Sequence, residues 1–113
     1  MNNERLPTQE LFDSYMMLLI EERSVEERKM KTAHRKEYKE TVRQQDIELQ
    51  EMKDKRMLKR FDVGLKEQHI MMEVNQLKCR CWMKKEQERL AESFRIKWKY
   101  KMDQEKAIFS NFL

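Results

Sequence analysis

One glycine, one proline, two cysteines and two histidines are all that 113 residues hold of these types. Each scarcity excludes something. Hairpins and tight turns draw on Gly and Pro, so a chain with one of each has little means of building a sheet of short strands. The longest apolar run, Tyr15 to Ile20, is far short of the ~20 residues that a spanning helix requires. Acidic residues flank that run and no basic stretch precedes it, which argues against a signal peptide and for a cytoplasmic setting with reduced thiols.

Catalytic signatures are missing as well. There is no Gly-rich phosphate loop, no H-E-x-x-H and no nucleophile elbow. No catalytic residue, cofactor site or small-molecule substrate is expected, and the chain reads as a non-enzyme. Cys79 and Cys81 lie two positions apart, about 200° around a helix, so their sulfurs point to opposite sides and do not hold one ion together. A structural zinc would need two further ligands, and His34 and His69 are isolated. The simpler expectation is that the cysteines act as small hydrophobes in a packed face.

What is present is charge: 41% of the residues are Asp, Glu, Lys or Arg, against 39% hydrophobic, where globular domains carry roughly 25% charged residues. Helix formers dominate, so the expected class is all-α, with one or two long extended helices and no compact globular core. Such a composition also suits disordered chains, but a net charge of only +4, ten Met and five Phe favour helix that orders against a partner.

Residues 1–7 read as an extended lead, with Thr8 as an N-cap. Residues 8–62 read as a long charged helix. Its first turns carry Leu11, Phe12, Tyr15, Leu18 and Leu19, which form one docking segment. From Glu21 to Arg56 more than half of the residues are charged, and Tyr38, Val42, Leu49 and Met52 fit a heptad frame that Gln45 and Arg56 interrupt. Phe61 to Gly64 is the expected turn or kink, since Gly64 alone reaches a left-handed conformation without steric cost.

Residues 63–113 read as a basic amphipathic helix. Its apolar residues recur at eleven positions: Met72, Met83 and Phe94; Cys79 and Leu90; Trp98 and Phe109; Met102 and Leu113. Eleven residues over three turns keep a stripe on one face of a nearly straight helix. The basic excess lies wholly in this half, with eleven basic and seven acidic residues from position 64 onward against fourteen of each before it. Lys84, Lys85, Arg95, Lys97, Lys99 and Lys101 surround the anchors Trp82, Phe94, Trp98, Met102 and Phe109.

Aromatic anchors beside long cations suit an acidic, grooved protein surface. A nucleic acid fits less well, because acidic residues intersperse the patch, and a membrane surface less again. Two readings of the anchors stay open. They dock on a partner, or they pack on Leu11 to Leu19 of the same chain in a helical hairpin. Either way one two-helix unit is thin by the standards of small domains.

The last stretch, WKYKMDQEKAIFSNFL, resembles the tails of small α-helical ciliary proteins that line the inside of doublet microtubules, with Trp98, Met102, Asp103, Lys106, Ala107 and Phe109 in the corresponding places. The resemblance implies a non-catalytic rod in the axoneme of a cilium or flagellum, bound to the acidic tubulin lattice and neighbouring filamentous proteins. The alternative is a cytoplasmic coiled-coil adaptor of a multiprotein complex.

Overall fold

The computed structural model describes residues 7–111. Two helices account for nearly all of them, α1 over Pro7–Leu58 and α2 over Val63–Ser110, and no strand occurs among the described residues. The lead expected over residues 1–7 lies outside the described residues except for Pro7. That residue stands in the first helical position, where a missing N–H costs nothing.

Packing divides the chain into two units, one of Thr32–Arg89 and one of Met1–Lys31 with Leu90–Leu113. The first, the turn unit, is a helical hairpin. Its reversal comes before Gly64. The Asp62 N–H donates to the Lys59 carbonyl at 3.0 Å, and the Asp62 side chain then accepts from the Leu65 N–H at 3.2 Å, which makes Asp62 the N-cap of α2. Gly64 lies inside the first turn of α2 without a positive φ. The left-handed role expected of it is not used. A Cβ at this position would come 3.2 Å from Asp62 Oδ1, so its lack of a side chain leaves room for the cap. Removing that carboxylate in Asp62→Ala is expected to cost about 1 kcal/mol in thermal unfolding followed by circular dichroism. Gly64→Ala should stay within about 1 kcal/mol of the parent, because better helix propensity offsets crowding at the cap.

Within the turn unit the two helices face each other along polar contacts. Gln45 Nε2 donates to the Gln76 carbonyl at 3.4 Å and Gln76 Nε2 to the Gln45 carbonyl at 2.8 Å. Eleven residues back along α1 and eleven forward along α2, Gln87 Nε2 donates to the His34 carbonyl at 3.0 Å. The same interval governs burial. Along α1 the buried and half-buried line runs through His34, Tyr38, Thr41, Gln45, Leu49 and Met52, and along α2 through His69, Met72, Gln76, Arg80, Met83 and Gln87. Both lines step by four, three and four residues, a period of about 3.67 per turn. In α1 this retains Tyr38, Leu49 and Met52 of the heptad frame, leaves Val42 half-buried beside Thr41, and takes in Gln45 and Arg56 as members of the seam.

The terminal unit has the chain's apolar centre. Met16, Leu19, Trp98 and Met102 are buried together, with Phe12, Tyr15 and Phe94 packed against them. Phe109 joins through ring contacts at 4.9 Å to Phe12 and 5.8 Å to Tyr15. No large side chain among the described residues is fully buried. α1 runs unbroken through Ser24, and Glu27 pairs with Lys31 at 3.0 Å. That lysine is the main reason the Glu27 carboxyl is held below the usual range.

Candidate functional site: inward anchors and outward cations

In the terminal unit the aromatic positions of α2 divide between two faces. Trp98 is only 3% exposed. Its Nε1 donates to Glu26 at 3.2 Å, its ring lies 6.3 Å from that of Phe94, and Lys101 Nζ sits 4.6 Å above it. Thus Phe94, Trp98, Met102 and Phe109, expected as anchors for a partner, serve here as the anchors of α2 on α1, together with Phe12, Tyr15 and Leu19. The Tyr15 hydroxyl is pushed above its ordinary pKa by desolvation and then by Glu105.

The cations take the other face. Arg95, Lys97 and Lys99 are exposed, Lys101 is half-buried over Trp98, and Ile96 and Tyr100 stand exposed among them. A groove of about 470 Å³ runs along this side, lined by Arg23, Glu27, Phe94, Arg95, Trp98, Lys99, Met102, Asp103 and Lys106. Its rim therefore carries four cations and two carboxylates over an aromatic floor. Arg23 Nη1 is satisfied within the unit by the Met102 sulfur at 3.5 Å. On α1 of the same unit, Leu11 and Leu18 remain exposed despite their apolar character.

The turn unit places Trp82 outward, 66% exposed, beside Val74, Leu77, Lys78, Cys81 and Lys85 in a shallow groove. Lys84 lies 5.2 Å above the Tyr38 ring. Cys79 and Cys81 are free thiols and both are exposed. The packed face expected for them is therefore corrected: the inward line passes through Arg80 and Met83 instead.

The polar contacts of the seam join residues far apart in the chain and have no local signal in the sequence. Arg80 Nε donates to Gln45 Oε1 at 2.5 Å and its Nη2 lies 3.7 Å from Asp46. Arg56 Nη1 meets His69 Nδ1 at 2.7 Å, and His69 Nε2 faces Glu73 at 3.3 Å. Among the described residues no three His, Cys, Asp or Glu side chains gather to hold a metal ion, and no helix is long and apolar enough to cross a membrane. Comparison with known proteins found no matching family model, no matching curated protein and no matching solved structure.

Proposed function

We propose that this chain is a non-catalytic structural protein that lies on a filament lattice, as a component of the doublet microtubules of a ciliary or flagellar axoneme. The observation that carries the reading is the outer face of α2 in the terminal unit. With Phe94, Trp98 and Met102 committed to α1, the exposed Arg95, Lys97 and Lys99 still alternate with the exposed Ile96 and Tyr100. Such a face offers apolar contact and positive charge together, which suits an acidic, ridged protein surface. The tail resemblance from Trp98 to Phe109 gives the direction toward tubulin.

Co-sedimentation with microtubules tests this. Lys97→Glu with Lys99→Glu is expected to weaken binding by about tenfold or more at low ionic strength, and by less as salt screens the contact. Both side chains are exposed and make no contribution to the buried cluster, so helicity should be unchanged. Binding that ignores the double charge reversal would remove this face from the interface. A second reading, a coiled-coil adaptor in the cytoplasm, is favoured by the apolar residues that the terminal unit leaves exposed on α1, Leu11 and Leu18. It predicts capture by another helix with no preference for microtubules.

A further inference from the structure

We infer that the chain associates with a second copy of itself, head to tail, through two exposed apolar stripes that complement each other in shape and charge. This stands apart from the filament reading and uses other residues. The first stripe, on α1 of the terminal unit, is Leu11, Leu18 and Val25, exposed and seven residues apart. The second, on α2 of the turn unit, is Ile70, Val74, Leu77 and Cys81 with Trp82 beside it. Val74 lies two positions from both Met72 and Gln76, the residues on the inward line, so this stripe is about 200° around from the seam and looks away from α1. The second stripe steps by four, three and four residues, as a coiled-coil seam does; the first keeps every seventh residue, with Glu21 and Glu22 between Leu18 and Val25.

Their charges are opposite. Residues 10–26 hold five acidic residues and one basic, and that one, Arg23, is turned in to Met102. Residues 70–85 hold four basic residues and one acidic; Arg80 is turned in to Gln45 and Lys84 lies over Tyr38, which leaves Lys78 and Lys85 beside the stripe. A parallel alignment pairs the opposite charges and two of the three apolar positions of the first stripe, and sets Val25 level with Lys84. With Leu11 level with Ile70, Leu18 comes level with Leu77, and Glu22 level with Cys81, between Lys78 and Lys85. The antiparallel alignment instead brings Glu21 and Glu22 to the apolar stretch around Ile70 and Met71 and leaves Lys85 without a counter-charge. The parallel contact joins the acidic stripe of one copy to the basic stripe of the next, a heterologous interface that either closes as a pair or continues.

Sedimentation equilibrium of the full chain tests the inference through a charge swap. Glu21→Lys with Glu22→Lys in one variant, and Lys78→Glu with Lys85→Glu in another, are each expected to weaken self-association by about tenfold. All four positions are exposed, so circular dichroism should match the parent. Mixing the two variants restores opposite charges at both contacts, and association should return to the parent level. A second measurement reports the register: Glu22→Cys with Cys79→Ser should form a disulfide-linked dimer on mild oxidation, and Cys81→Ser should abolish it. A parent chain that stays monomeric into the millimolar range, or an association indifferent to both charge reversals, overturns the proposal. So does a mixture that fails to recover.

Discussion

Trp98→Ala is expected to melt the terminal unit. The side chain is among the least exposed of the described residues and lies in the buried apolar cluster of its unit. Large-to-small changes of this kind cost about 3–5 kcal/mol. The substitution also removes the partner of Glu26 and the ring under Lys101. A cluster of four buried residues has little to spare against such a loss, because a thin two-helix unit offers few other contacts. Circular dichroism at 25 °C should show a drop in helicity. Hydrogen exchange should place that loss in residues 7–31 and 90–111, with the turn unit retaining most of its protection. Trp98→Phe, which keeps a ring and loses the Nε1 donor, should cost about 1–2 kcal/mol and leave the helices in place. A Trp98→Ala chain with unaltered melting would mean that α2 does not rest on α1 through this residue.

The second large effect is expected at the buried glutamine pair, and it has the opposite sign. Gln45 and Gln76 are 7% and 9% exposed, and each donates to the carbonyl of the other across the hairpin. Amides buried in a helical seam give up water for a few hydrogen bonds, so the net gain over apolar side chains of like size is small or negative. Gln45→Leu with Gln76→Leu should raise the melting temperature by several degrees, equivalent to about 1–3 kcal/mol. The same change removes the acceptor of Arg80 Nε and the reciprocal pair that marks the register, so the stabilised hairpin should slip or associate into bundles of mixed order. Sedimentation together with double electron–electron resonance between labels on the two helices reads this directly, as broadened distances where the parent gives one narrow peak. Gln76→Ala alone is expected to destabilise by about 1–2 kcal/mol, since Gln45 is left beside an unfilled space. Were the double leucine variant less stable than the parent, the glutamines would be supporting the fold rather than selecting its alignment.

Much of this architecture was legible in the residues. One Gly, one Pro and a wealth of Glu, Lys, Met and Leu point to helix, and Met72, Met83 and Phe94 already trace the inward line of α2. The seam of α1 was harder. Gln45 and Arg56 look like interruptions in a row of apolar residues, because the carbonyl that satisfies Gln45 belongs to a residue 31 positions away. No local pattern announces such a bond. The sequence locates the turn to within a few residues but points to Gly64 for its conformational freedom, whereas Asp62, two residues earlier, carries the reversal through a cap to Leu65. The clue was present, an aspartate directly before an apolar helical stretch.

For the candidate site the ambiguity was physical. An aromatic stripe suited to a partner's groove is equally suited to the chain's own first helix, and periodicity does not distinguish them. What the fold adds is the division of labour at Phe94 to Met102, where aromatics turn in and Arg95, Lys97 and Lys99 turn out. Cys81 and Trp82 show the reverse: apolar by type, they face away from the seam, and nothing in the spacing of CRCW marks which of the two sides of the helix would be covered.

The interval of eleven residues shared by the two inward lines of the hairpin gives the molecule a natural unit of length. Excising eleven residues from α1 and the opposing eleven from α2, the blocks 34–44 and 77–87, returns every remaining side chain to its former phase, whereas dropping one residue turns everything beyond it by about 100°. Evolution or an engineer can thus shorten or lengthen the turn unit in whole modules while the turn itself remains as it is.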